Sequence, residues 1–130
     1  MIEILKLKQM LEEANIPFEF TDDKNNYKEI ETTNNLALIK AAEELANSYQ
    51  IIIYKNGKRL CDVIYGYGSY GYEDGLLEIK GGLTLEEYEN LSVLGYLTAE
   101  EVFKRFKYCY DNDTTFYKKE AIYESIRSGK

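Results

Sequence analysis

Asp62, followed further along by Glu78-x-Lys80, has the order of the acids and lysine in a PD-(D/E)xK nuclease. In that chemistry the carboxylates hold Mg²⁺ and the lysine supports a water that attacks phosphate. Adjacent strands would bring the three side chains together, but no Pro-Asp precedes the motif, and both acids also fit ordinary outward strand positions. A second pattern, Gly66-Tyr67-Gly68-Ser69-Tyr70-Gly71, matches GxGxxG letter by letter. A dinucleotide site needs a helix to begin there, so that its N-terminus meets the pyrophosphate. Here Glu73-Asp74-Gly75 and another strand follow, and the two acids would repel phosphate; the glycines then serve tight turns. The chain has no histidine, which removes Ser/His and Cys/His nucleophile pairs and histidine metal sites.

The pattern that carries most weight is aromatic. Tyr65, Tyr67, Tyr70 and Tyr72 are interleaved with glycine and followed by Glu73 and Asp74, with Tyr88 and Tyr96 nearby. Tyrosine offers contact area at low entropic cost, and glycine lets a loop adapt, as in binding loops. Such rings can stack on bases, and a nucleotide sponge would stack a base on them and hold its phosphate with Lys80 or Arg105. Without a basic groove, a protein partner suits the rings better than a nucleic-acid strand. The candidate partner-binding set is Tyr67, Tyr70, Tyr72, Glu73, Asp74, Glu86, Glu87 and Glu89. No catalytic residue, metal ligand or cofactor is assigned.

Charge points the same way. The net charge is −7. From Asp62 to Glu101 nine acids face one base, Lys80, whereas from Phe103 onward bases prevail. Neutralising phosphates requires basic charge, so direct nucleic-acid binding is disfavoured. An acidic face suits a basic partner. The basic stretch around Lys104, Arg105 and Lys107 is an alternative target, on a second copy of the chain, which would give a homodimer.

The elements that position these residues read as an α+β fold in one domain over 1–130. Residues 2–14 place Ile4, Leu7, Leu11 and Ala14 on one helical face, and Phe18-Glu19-Phe20 alternates like a short strand. Thr21 to Asn35 is polar and turn-rich, and Asn35 can cap a helix from Leu36 to Asn47, so 21–47 reads as an insertion. Tyr49 to Tyr54 and Arg59 to Tyr65 form a hairpin about Asn56-Gly57, whose residues accept the positive φ of a type I′ turn. Leu76 to Lys80 is a third antiparallel strand, closed by Gly81-Gly82. Thr84 with Glu87, and Thr98 with Glu101, have capping-box spacing for a short helix to Asn90 and a longer one from Ala99 to Tyr110. A last helix is predicted from Thr115 to Ile126. Cys61 and Cys109 read as buried small hydrophobes, and the lack of a signal sequence or membrane-length apolar run predicts a cytoplasmic protein with no membrane contact.

The run from Arg59 to Phe106 resembles small uncharacterised accessory proteins of phages and prophages of Gram-positive bacteria. The similar parts are Gly68 to Gly71, Leu76 to Ile79 and Gly95 to Phe103. The resemblance implies a phage-encoded protein without catalytic residues, working by binding. Such a protein would block a bacterial host or defence protein in the manner of an anti-CRISPR or a DNA mimic.

Overall fold

A computed structural model describes residues 2–23 and 48–118. The fold is α+β: a five-stranded antiparallel meander with helices packed on one face. Helix α1 (Glu3–Glu13) buries the stripe Ile4, Leu7 and Leu11. Strand β1 (Glu19–Asp23) pairs with β2 (Ser48–Lys55), which turns through Asn56-Gly57 into β3 (Lys58–Tyr65). Both turn residues have positive φ, 53° and 75°, as the Asn-Gly pair predicts for this hairpin.

After the glycine-tyrosine loop, β4 (Leu77–Lys80) returns along β3. A short helix α2 (Leu85–Asn90) follows, then β5 (Leu94–Leu97) beside β4, and finally α3 (Ala99–Asp111). Both predicted caps are present: Thr84 and Glu87 form a reciprocal capping box, and the Thr98 hydroxyl accepts from the Glu101 N–H. Alternation along the strands directs Ile51, Ile53, Cys61, Val63, Leu77 and Ile79 toward α1 and α3. There they meet Ala99, Val102, Phe106 and Cys109 of α3, all fully buried.

The two cysteines are unoxidised and face each other across this core. The hydrogen bond that Cys61 makes with Cys109, then burial, pushes the Cys61 thiol far above its usual range, so it is unreactive packing. The same bond pulls Cys109 down, against burial.

Three expectations change. Thr21 to Asp23, predicted as loop, continue β1, because backbone pairing with Gln50, Tyr49 and Ser48 outweighs their turn-prone composition. Leu94–Leu97 is a fifth strand that the sequence did not announce. Thr115 to Lys118 is not helical: the chain runs alongside Leu83, with a Phe116 bridge and a Tyr117 N–H to Leu83 carbonyl bond of 2.8 Å. The predicted helix at 36–47 and residues 119–126 of the predicted last helix lie outside the described residues. Among the described residues no helix is long and apolar enough to cross a membrane.

Candidate interaction surface

The loop between β3 and β4 is a built structure rather than a slack connection. The Ser69 hydroxyl donates to the Gly66 carbonyl at 2.7 Å and accepts from the Gly66 N–H at 3.1 Å, while the Ser69 N–H returns to the Gly66 carbonyl at 2.9 Å. Tyr72–Asp74 then makes one 3₁₀ turn. The Tyr70 N–H is held by Glu78 Oε1 at 2.9 Å, and the Tyr70 carbonyl accepts the Tyr96 N–H of β5 at 3.3 Å. Gly71, with φ 97°, lies so close to β5 that a Cβ would stand 3.0 Å from Tyr96 N and Cα. The loop therefore folds back onto the sheet edge and is seated there by backbone contact.

This seating exposes tyrosines. Tyr67, Tyr70 and Tyr96 are 57, 58 and 59% exposed, and with Glu73 and Asp74 they border a shallow concavity. Rings of that size turned to water have no part in the core, which gives the patch the character of a contact surface. Tyr72 is half-buried and anchors the patch. It lies 5.2 Å from Tyr65 and meets Tyr67 edge-on at 6.3 Å. The row continues through Tyr65 and Tyr49 at 6.5 Å to Phe20 at 6.1 Å, so the exposed rings are backed by aromatics on three strands. Burial, then the neighbouring Tyr72 and Tyr49 hydroxyls, push the Tyr65 phenol up. Among the described residues no ion pair engages Glu73 or Asp74.

The eight sequence-chosen residues fall into two groups. Tyr67, Tyr70, Tyr72, Glu73 and Asp74 sit together at one end of the sheet. Glu86, Glu87 and Glu89 ride on α2 at the other end, because β4 carries the chain roughly 13 Å away before α2 begins. Glu86 and Glu89 are exposed, but Glu87 is not a free surface charge. Its Oε1 accepts the Thr84 N–H at 2.7 Å, and its two oxygens receive Arg105 Nη1 and Nη2 at 2.8 and 3.1 Å. Burial alone would raise the Glu87 carboxyl, but the Arg105 and Thr84 bonds and the Arg105 charge hold it below its ordinary value. Arg105, a candidate for phosphate or for a second copy, is only 14% exposed. It also donates to the Gly82 carbonyl at 3.1 Å and lies over the Tyr117 ring at 5.1 Å. It ties α2, the turn after β4 and the chain beyond α3 together. Lys107 is likewise engaged, with Asp111 at 2.6 Å.

Tyr96 belongs to the patch, although it is distant in sequence from the loop; Tyr88 sits instead with α2. The backbone bond from Tyr96 to Tyr70 and the close approach of Gly71 to Tyr96 make the difference, and no local pattern encodes it.

The nuclease-like trio does share a face. Asp62 is directly opposite Lys80, and Ile64 opposite Glu78, on the side of the sheet away from α1 and α3. Asp62, only 8% exposed, already receives Arg59 Nη2 at 3.1 Å and Gln50 Nε2 at 3.2 Å. Glu78 has one oxygen on the Tyr70 N–H. Among the described residues no three acids or cysteines converge as ligands, and two partnered carboxylates suit Mg²⁺ poorly. The GxGxxG stretch leads into the 3₁₀ turn and β4, so no helix N-terminus is offered to a pyrophosphate there.

Comparison with protein-family models, with curated proteins and with solved structures finds no match.

Proposed function

We propose that this protein is a non-enzymatic binder that places the Tyr67, Tyr70 and Tyr96 rings, with Glu73 and Asp74 beside them, on a basic surface of a partner protein. One observation carries the reading: three tyrosines more than half exposed, two on a loop locked by hydrogen bonds and the third, Tyr96, on the strand that the loop is bonded to. Pre-set rings lose little freedom on docking, which is how a small patch gains affinity. The two carboxylates add charge complementarity and a faster encounter. A finer reading, which rests on the resemblance read from the sequence of residues 59–106 alone, is a phage-encoded inhibitor of a bacterial host or defence protein. Glu86 and Glu89 act as a separate, outlying source of negative field.

The test is affinity purification of the tagged protein from bacterial lysate at low and at physiological salt, repeated with variants. A stoichiometric basic partner is expected, weakened by salt. Tyr70→Ala should weaken it about 30-fold, near 2 kcal/mol for a contact anchor. The Glu73→Lys/Asp74→Lys pair should reduce the association rate and reverse its salt dependence. If both variants retain the partner with unchanged salt dependence, the surface is misassigned.

A further inference from the structure

We infer that the cleft between the Lys80 end of the sheet and α2 binds a small phosphorylated aromatic ligand of the nucleoside monophosphate class. The cleft, about 460 Å³, lies at the far end of the molecule from the tyrosine loop. That volume is within the roughly 300–1,000 Å³ of small-molecule sites.

Its lining combines three kinds of chemistry. Lys80 is exposed on β4 and, among the described residues, has no ion-pair partner. Arg59, across the cleft on β3, uses Nη2 on Asp62 and leaves the remainder of its fork for an anion. The carboxylate of Asp62 thus serves to position Arg59, and the pair is locally neutral, so Lys80 leaves the cleft net positive in an acidic protein. Tyr88 supplies the aromatic surface. The residue is 59% exposed, and its ring is braced at near right angles by Phe116 at 5.4 Å, so it offers an aromatic surface on which a base can stack. Ser92 and Thr115 line the same cavity, residue types suited to a sugar.

A long strand is a poorer occupant than a single nucleotide. The net charge is −7, and Glu86 and Glu89 stand exposed on the same helix as Tyr88, so each phosphate beyond the first meets repulsion. The inference concerns residues outside the tyrosine patch and is independent of it.

The experiment is isothermal calorimetry of the full chain with AMP, CMP, GMP and UMP. Each matching nucleoside, inorganic phosphate and a short single-stranded oligonucleotide are titrated alongside. At least one mononucleotide should bind saturably at one per chain, with its nucleoside and free phosphate at least about tenfold weaker. Lys80→Ala and Tyr88→Ala should each weaken it about tenfold, Lys80→Arg should retain it, and Tyr70→Ala should leave it unchanged. Both positions are exposed, and a single cooperative thermal transition of each unliganded variant confirms its fold. The inference is overturned if none of the four mononucleotides binds saturably, or if binding survives both alanine variants. It is also overturned if phosphate or the oligonucleotide binds as tightly as the mononucleotide, which would show a bare anion site or a strand site.

Discussion

Glu87 shows how a surface-looking acid becomes structural. It completes the capping box of α2 and receives both Arg105 nitrogens, so one carboxylate joins a helix start to the middle of α3. Glu87→Gln is expected to cost about 1–2 kcal/mol at neutral pH in chemical denaturation, since charge-assisted bonds are replaced by weaker ones. The pH dependence has a definite sign. The carboxyl is held below its ordinary value in the folded state, so its stabilisation is complete above the ordinary carboxylate range and disappears as pH falls through the folded value. The gap between wild type and Glu87→Gln should therefore close in acid, and a gap that widened there would contradict the assignment. Gly95 makes a second case. A Cβ at this position would collide with the Tyr70 Cβ and approach the Tyr70 carbonyl oxygen at 2.9 Å. Gly95→Ala should cost about 1–3 kcal/mol and, by displacing the loop, weaken partner binding with every tyrosine still present. Stability and affinity measured on the same variant check both halves.

At the level of elements, the hairpin was fully legible because its signal is local: Asn56-Gly57 provides the two positive φ values and β-branched residues flank it. Gly57→Ala tests that account cleanly. Among the described residues nothing lies within 4 Å of the added Cβ, so the expected loss of about 1 kcal/mol comes from the left-handed backbone. The two N-caps were legible for the same reason, each being a bond over three residues. Strand β5 was not. Its Leu94-Gly95-Tyr96-Leu97 run contains a glycine and a tyrosine at φ 60°, and it is a strand because β4 supplies its partners. The tail after α3 misled for a related reason. Local composition favoured helix, but the backbone bonds of Gly82 and Tyr117 with Thr115 and Leu83 hold it extended.

Across the whole molecule, the sequence suggested one acidic face, whereas the meander divides it between two ends of the sheet. Neighbours in sequence are not neighbours in space here, because a four-residue strand separates them. Among the described residues the two ends share no partner, so substitutions at Tyr70 and at Tyr88 should have additive effects on stability, within about 0.5 kcal/mol. A double-mutant cycle with a larger coupling would show that the ends communicate. The edge of the sheet also matters for colloidal behaviour. Strand β5 closes one side of the sheet, and an unpaired strand there is a template on which further chains can polymerise. In this protein that edge is four residues long, is kinked by the left-handed Tyr96, and has the Tyr96 N–H already donated to Tyr70. Its shortness and its kink thus make this edge a poor template for edge-to-edge growth, so a variant that straightened it should aggregate more readily while its core was still intact.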